Sequence, residues 1–146
     1  MKKKLLIALI FGSLGITTEI FFTAFSRLIR DISMGNDLDL SLKGESYVWM
    51  FFIYCLIAPL FDLGYQKIKN LNIFIRMLIY GVIILFVEFI MGFLLDMIVG
   101  KCPWEYTSGI TFFGYIRLDY IFFWMIFGFI IEKVYIVLNK RITLNL

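Results

Sequence analysis

The sequence predicts an all-α membrane protein, a bundle of four transmembrane helices in a single domain covering residues 1–146. Of the 146 residues, 62% are hydrophobic and 19% are aromatic, whereas a typical globular chain is roughly 45–50% apolar. A soluble fold of this length could not bury so much apolar surface, so the excess is expected to face lipid. The apolar residues also form four blocks, each long enough to cross a hydrocarbon core of roughly 30 Å.

The first predicted span covers residues 5–25 and follows Lys2-Lys3-Lys4. This start could be read as a secretory signal peptide, but no small-residue cleavage site follows, so a retained span is favoured. Gly12, Gly15 and Glu19 fall on one face of the helix. Such a face allows close approach of another helix and presents one carboxylate to the protein interior.

A polar segment, Ser26–Ser46, is predicted to connect the first two spans as a solvated loop with a turn at Gly35-Asn36-Asp37. The second span covers residues 47–64, begins among aromatic residues typical of a membrane interface, and is expected to kink at Pro59. The third span, residues 71–99, exceeds the hydrocarbon thickness and therefore tilts or projects.

The fourth predicted span covers residues 116–138. Arg117 and Asp119 open it, and it continues past Gly128, a residue small enough to allow helix packing. Glu132 lies beside Lys133 near the predicted inner interface. A salt-bridged or snorkelling boundary residue is therefore its expected role.

The distribution of Lys and Arg favours both termini on the cytoplasmic side, by the positive-inside rule. This orientation places nine basic residues inside and five outside. The inner set is Lys2, Lys3, Lys4, Lys67, Lys69, Arg76, Lys133, Lys140 and Arg141, and the outer set is Arg27, Arg30, Lys43, Lys101 and Arg117.

A faint internal similarity is visible between the first and third spans. Gly12 precedes Glu19 by seven residues, and Gly81 precedes Glu88 by the same interval. Both helices would run from inside to outside, so the similarity suggests a parallel repeat of two hairpins. Two matched positions could also arise by chance.

The third span carries the strongest candidate site, because Glu88, Gly92 and Asp96 recur at four-residue intervals. A charged side chain at the bilayer centre costs about 2.5–3.5 kcal/mol on translocon scales and therefore suggests function. Glu19 and Glu88 would both reach the middle or outer half of the membrane. With Arg117 as counter-charge and Asp119 nearby, the acids could line a cavity that binds a cation, a proton or a basic headgroup.

A less specific interpretation of the same acids is that each hydrogen-bonds a neighbouring helix and fixes the packing of the bundle. The loop after the third span, Cys102-Pro103-Trp104-Glu105-Tyr106, also has two interpretations. Trp and Tyr are common interfacial anchors, but a Pro and a Glu among them indicate a more defined turn, an ordered loop that covers the bundle.

Composition excludes several classes of function. The chain has no His and only two Cys, so no metal site and no zinc knuckle is expected. No continuous basic stripe suits nucleic acid, and no catalytic constellation or cofactor motif indicates an enzyme. The weakest alternative is an intramembrane hydrolase, which would need the Glu19 and Glu88 carboxylates within a few Å of each other. Because there is no Gly-x-x-x-x-Gly-Lys-Ser/Thr motif, any ATPase would be a separate chain.

Seven short motifs occur in the order Glu19-Ile20-Phe21-Phe22-Thr23-Ala24, Phe52-Ile53-Tyr54, Leu78-Ile79-Tyr80, Glu88-Phe89, Gly92-Phe93, Cys102-Pro103-Trp104-Glu105-Tyr106 and Leu118-Asp119-Tyr120. In this order they resemble the transmembrane protein 229 family of vertebrates, whose small bacterial relatives carry the label ABC-transporter type IV permease. The resemblance extends from about Gly12 to Tyr135. Its most specific part is the Cys-Pro-Trp-acid-Tyr loop after an acid-x-x-x-Gly helix.

The resemblance implies a four-span membrane protein and marks particular positions by the family pattern. These are Glu19, Glu88, Gly92, Pro103, Trp104, Tyr106, Trp124 and Glu132. Glu105 and Asp119 keep an acid but exchange Asp and Glu relative to the vertebrate form. Asp96 and Arg117 depart from the vertebrate pattern, which weakens any mechanism that depends on those two residues.

The expected function is that of a permease or transporter component with an acidic intramembrane site. Four helices are few for a complete pathway, so a homo-oligomer or a larger membrane partner is expected. The alternative is a membrane scaffold that binds lipid or another protein without transport.

Overall fold

The computed structural model describes residues 2–35 and 39–144, and it is predominantly helical. It confirms the predicted fold class, because four of its helical segments are long and apolar enough to cross a membrane. These segments are Lys2–Ser33, Val48–Ile68, Ile73–Val99 and Leu118–Ile142. Of the predicted Gly35-Asn36-Asp37 turn, Asn36 and Asp37 lie outside the described residues.

The chain folds into two compact units, Met1–Leu60 and Phe61–Leu146. In the first unit, helix α1 (Lys2–Ser33) packs against helix α2 (Val48–Cys55). The second unit contains most of helix α3 (Ile57–Ile68). It also contains helix α4 (Ile73–Val99), which packs mainly against helix α5 (Ile121–Leu144).

Helix α1 continues to Ser33 instead of ending at Phe25, so the first part of the predicted polar loop is helical. The physical reason is that no proline or glycine interrupts the chain between Phe25 and Gly35. Gly35 adopts a φ of 73°, the left-handed conformation that commonly terminates a helix. The 32 residues of α1 span roughly 48 Å, so the helix extends beyond the hydrocarbon core.

The second span is interrupted at Leu56, between α2 and α3. Pro59 explains the break, because it has no N–H to donate to the carbonyl of Cys55 and its ring crowds that carbonyl. The Leu56 N–H instead donates to the carbonyl of Ile53 at 3.1 Å, and helical bonding resumes from Leu60 N–H to Leu56 O at 3.1 Å. The kink expected from Pro59 is thus a local interruption of the helix.

Helix α4 matches its predicted span closely because both of its ends carry capping signals. The Asn72 side chain accepts a hydrogen bond from the Phe74 N–H at 2.9 Å, which satisfies a free donor of the first turn. At the other end, Gly100 adopts a φ of 77° and its N–H donates to the carbonyl of Asp96.

The fourth predicted span begins too early, because Ile116–Arg117 forms a strand and not helix. This strand, β2, pairs antiparallel with β1 (Thr111–Phe112). Phe113 and Gly114, with φ values of 53° and 73°, make the turn between them. A short 3₁₀ helix (Leu118–Tyr120) then leads into α5, and the sequence analysis did not predict this hairpin.

Candidate functional site

Five acidic side chains on the apolar helices each accept a hydrogen bond from a tyrosine hydroxyl. A buried carboxylate must be compensated, and a buried tyrosine hydroxyl usually finds a partner, so each bond satisfies both groups. The pairs and their O–O distances are Tyr54–Glu19 (2.9 Å), Tyr135–Asp62 (2.6 Å), Tyr106–Glu88 (3.1 Å), Tyr115–Asp96 (2.6 Å) and Tyr80–Glu132 (2.6 Å).

Four of these acids, Glu19, Glu88, Asp96 and Glu132, were predicted from the sequence as site or boundary residues, and Asp62 was not. None of the five tyrosines was predicted as the hydrogen-bond partner of an acid. A signal was available, because the chain contains eight tyrosines and several lie within or beside apolar spans. A tyrosine in hydrocarbon needs an acceptor for its hydroxyl, so each of these residues pointed to an acid on another segment.

In the first unit, Glu19 lies on the predicted small-residue face of α1. A Cβ atom at Gly15 would collide with the ring of Tyr54, and one at Gly12 would lie 2.6 Å from Cys55 Sγ. The two glycines therefore allow α2 to approach α1 closely. This approach brings the Tyr54 hydroxyl to Glu19.

In the second unit, Glu88 on α4 is bound by Tyr106 from the loop that follows the helix. The Tyr106 N–H donates to the carbonyl of Gly114 at 2.9 Å, which anchors the loop, and the hydroxyl donates to Glu88 Oε1 at 3.1 Å. Burial, reinforced by the Glu88 charge, raises the pKa of Tyr106. The hydroxyl therefore stays protonated at neutral pH and remains a donor.

The second carboxyl oxygen of Glu88, Oε2, is buried and has no hydrogen-bond partner among the described residues. The indole Nε1–H of Trp124 on α5 is also buried and unpartnered. This N–H lies close to the Glu88 carboxyl group as a donor, although the geometry falls short of a full hydrogen bond. The ring of Tyr120 makes T-shaped contacts with Tyr106 and with Trp124, with centroids 5.8 and 6.5 Å apart. Glu88 therefore has one oxygen that accepts a full hydrogen bond and one, the free oxygen Oε2, that accepts none among the described residues.

The Cys102–Tyr106 loop packs against α4 where Gly92 leaves room for it. A Cβ atom at Gly92 would lie 3.1 Å from Tyr115 Cβ and 3.3 Å from Cys102 Sγ. Trp104 Nε1–H donates to the carbonyl of Tyr115 at 3.0 Å, and Tyr115 in turn binds Asp96. Gly92, Cys102, Trp104 and Asp96 thus hold the ordered loop in place.

The two remaining residues of the predicted loop motif contribute less to this arrangement. Pro103 is half-buried, and Glu105 is exposed. Neither makes a side-chain hydrogen bond or ion pair with the described part of the chain. Glu105 is therefore an acid of the same loop that lies outside the Glu88 cluster.

Arg117 is paired with Asp119 rather than with the intramembrane acids. Its guanidinium lies 2.9 Å from Asp119 Oδ2, donates to the Tyr120 hydroxyl at 3.0 Å and stacks over that ring at 4.3 Å. Asp119 also accepts from the Ile110 N–H at 3.1 Å. The proposed counter-charge is therefore occupied within its own hairpin, while Asp96 is bound by Tyr115.

Glu132 is enclosed by the second unit, with only 1% of its surface exposed, so its side chain does not snorkel to water. Its place at the inner membrane interface stays a prediction. Arg76 forms a salt bridge to Glu132 at 3.0 Å, Tyr80 donates to it at 2.6 Å, and Lys133 is 3.5 Å away. Arg76, which the sequence analysis placed only at the membrane surface, extends from α4 to reach it. A salt-bridged role was expected because Lys133 is adjacent, but the pairing with Arg76 and the deep burial were not expected.

The predicted packing residue Gly128 lies between α4 and α5, in the same region as Glu132. A Cβ atom there would collide with the side chain of Tyr80, and one at Gly81 would lie 2.9 Å from Ile121 Cδ1. Both glycines allow the two helices to approach closely. The Glu132 cluster is therefore part of the helix interface.

These features define an integral membrane protein with polar clusters enclosed by apolar helices. No protein-family model matches the chain, and no solved structure matches it. Within residues 2–35 and 39–144, no group of three or more His, Cys, Asp or Glu side chains is arranged to hold a metal ion.

Proposed function

We propose that the chain is a multi-pass protein of the cell membrane that belongs to the transmembrane protein 229 family. It acts as a permease or transporter component with an acidic intramembrane site at Glu88. The family assignment is supported by the ordered motifs, above all the Cys-Pro-Trp-Glu-Tyr loop after Glu88 and Gly92. The transport role comes from the permease label of the small bacterial relatives.

The free oxygen of Glu88 is the observation that carries this proposal. A carboxylate removed from water is costly unless it is fully compensated, and Tyr106 compensates only Oε1. A proton or a small cation at Oε2 would supply the missing interaction. The ligand class is therefore a proton, a monovalent metal ion or a small ammonium ion.

Partners are expected because four helices are few for a complete pathway. A homo-oligomer or a larger membrane subunit would supply the remaining helices, and a separate ATPase chain would be needed for ATP-driven transport. The Arg76–Glu132–Tyr80 cluster does not contribute a ligand site, because each of its charged groups already has a partner.

Uptake by reconstituted proteoliposomes tests the proposal with Glu88→Gln as the diagnostic variant. Wild-type vesicles should take up one of H⁺, Na⁺, K⁺ or methylammonium, and Glu88→Gln should lose most of that uptake because the amide carries no charge. Glu105→Gln is the matched control, since Glu105 is an exposed acid of the adjacent loop. Equal uptake by wild type and Glu88→Gln, or no uptake by wild type, would contradict the proposal.

The alternative function is a membrane scaffold that binds lipid or another protein without transport. It is favoured by one observation, namely that a tyrosine already holds each of the five acids, as residues that only fix packing would be held. In that case Trp104→Ala should weaken a stable association, because Trp104 anchors the loop through Tyr115. Native mass spectrometry of the purified protein would detect the associated molecule and its loss.

A further inference from the structure

A basic cavity of about 220 Å³ lies at the end of α1 in the first unit, whereas Glu88 belongs to the second unit. The cavity is lined by Thr23, Arg27, Arg30, Lys43 and Glu45. The first three residues are spaced by four and three positions and therefore share one face of α1. The other two belong to the segment that precedes α2.

The segment that carries Lys43 and Glu45 is held against α1 by hydrogen bonds and close backbone contacts. The Glu45 N–H donates to Thr23 Oγ1 at 2.9 Å, and this hydroxyl lies 3.1 Å from the carbonyl of Glu45. Gly44 lies directly against the carbonyl of Ile20, where any Cβ atom would collide. The segment is thus held on the helix, and Lys43 and Glu45 are placed beside the two arginines.

The charges around the cavity leave guanidinium groups available to a ligand. Lys43 forms a close ion pair with Asp39 and lowers the pKa of that carboxyl group, so the pair is neutral at physiological pH. Arg27 lies 4.0 Å from Glu45, and the two side chains are 43% and 86% exposed, which makes this pair weak. Arg30 forms no ion pair with the described part of the chain.

The cavity lies where α1 passes from apolar to charged sequence. Arg27 follows the apolar run that ends at Phe25, with only Ser26 between them. The side chains of Phe22, Phe25 and Ile29 are exposed on a neighbouring face of the helix, where lipid chains can cover them. The cavity is therefore at the level expected for lipid headgroups.

We propose that this cavity binds a phosphate group through Arg27 and Arg30, and that an anionic phospholipid supplies the phosphate. Guanidinium groups match phosphate oxygens with paired, charge-assisted hydrogen bonds. Lys43 adds no net charge because Asp39 pairs with it, and the acyl chains of the lipid lie on the adjacent apolar face of α1. The site is independent of the proposed transport role of Glu88.

Lipid binding to the purified full chain in neutral detergent tests the proposal, with a fluorescent phosphatidylglycerol as the probe and phosphatidylcholine as the zwitterionic comparison. Phosphatidylglycerol should bind more tightly than phosphatidylcholine. Arg27→Gln/Arg30→Gln should weaken it roughly tenfold or more, because one hydrogen bond to a charged group is worth about 1.5–3 kcal/mol. Arg27→Lys/Arg30→Lys keeps both charges and should retain part of the affinity, which separates loss of binding from loss of folding.

The matched control is Lys67→Gln/Lys69→Gln, which removes two exposed cations from the second unit and should leave affinity unchanged. Competition with inorganic phosphate identifies the source of the group. If millimolar inorganic phosphate does not displace bound phosphatidylglycerol, the lipid is the source of the phosphate group. If it does displace the lipid, the cavity is a site for free phosphate. Equal affinity for the two lipids, or an unchanged affinity in Arg27→Gln/Arg30→Gln, would overturn the proposal. None of these measurements depends on uptake through Glu88.

Discussion

Tyrosine hydroxyls are the main means by which this protein accommodates acids in apolar helices. A neutral donor such as the Tyr54 hydroxyl compensates Glu19 without bringing a second charge out of water. Glu132 is the exception, because it is also paired with the cation Arg76. The two arrangements predict different sensitivities to substitution, since removing one member of a buried ion pair leaves the other charge uncompensated.

Replacing Glu132 by Ala should therefore destabilise the protein strongly. Arg76, whose side chain is 15% exposed, would be left as an unpaired charge, and breaking a buried pair in this way typically costs about 3–5 kcal/mol. Unfolding of the purified protein in mixed detergent micelles, followed by circular dichroism, measures the change in the free energy of unfolding.

Lys133→Ala is the control for that experiment. Lys133 also approaches Glu132, but its side chain is 55% exposed, and an exposed pair contributes about 0–1 kcal/mol. If Glu132→Ala and Lys133→Ala lowered the free energy of unfolding by similar amounts, the Arg76–Glu132 pair would contribute no more to stability than an exposed pair.

At the scale of elements, close approach of α4 and α5 depends on small residues. Gly128 faces Tyr80, the residue whose hydroxyl binds Glu132. In membranes, where lipid chains are as apolar as the side chains, helices associate through such close packing and through interhelical hydrogen bonds. Packing at Gly128 and hydrogen bonding at Glu132 are therefore parts of one interface.

Gly128→Val should weaken this interface by about 1–3 kcal/mol, the usual cost of overpacking. The added side chain would displace Tyr80 and lengthen its bond to Glu132, so the same unfolding assay should report the loss. Gly64→Ala is the matched control, because a Cβ atom at Gly64 meets nothing within 4 Å. Gly64→Ala should raise the free energy of unfolding by up to about 1 kcal/mol, because Ala is a better helix former than Gly. A Gly128→Val protein as stable as wild type would contradict the proposed packing.

At the scale of the whole molecule, apolar side chains cover much of the surface of each helix. Among them are Phe22, Phe52, Phe74, Phe86 and Phe122, each more than half exposed. Exposure of this extent would cause aggregation in water. It is the expected surface of a protein whose solvent is lipid, and the four long helices agree with it.

The basic residues predict that both termini face the cytoplasm. Single cysteines placed in a background that lacks Cys55 and Cys102 test this orientation. Ser108→Cys, in the loop after α4, should react with an impermeant maleimide in intact cells. Lys2→Cys and Lys69→Cys should react only after permeabilisation, because the inner side carries nine of the fourteen basic residues. The reverse labelling pattern would contradict the orientation.

The parallel repeat of two hairpins stays a prediction. Each unit does contain a pair of packed helices, α1 with α2 and α4 with α5. Each also contains a glutamate bound by a tyrosine that follows it in the chain, Glu19 by Tyr54 and Glu88 by Tyr106. The connections differ, however, because the break at Leu56 has no counterpart in α5.

The sequence by itself determined the class of protein and the number of spans, and it singled out four of the five acids that tyrosines bind. Length and apolarity decide membrane insertion, and both are local properties that can be read residue by residue. The same holds for the ends of α4, where Asn72 and Gly100 carry their own capping signals.

Only the tertiary structure decided which groups meet. The pairing of Arg117 with Asp119 depends on the hairpin that carries Arg117. The reach of Arg76 to Glu132 and the free oxygen of Glu88 depend on how each helix is rotated about its axis. In a helix that is apolar on all faces, periodicity does not specify that rotation. The hairpin that contains Ile116–Arg117 was not predicted, because a strand of two residues is too short to show alternating polar and apolar side chains.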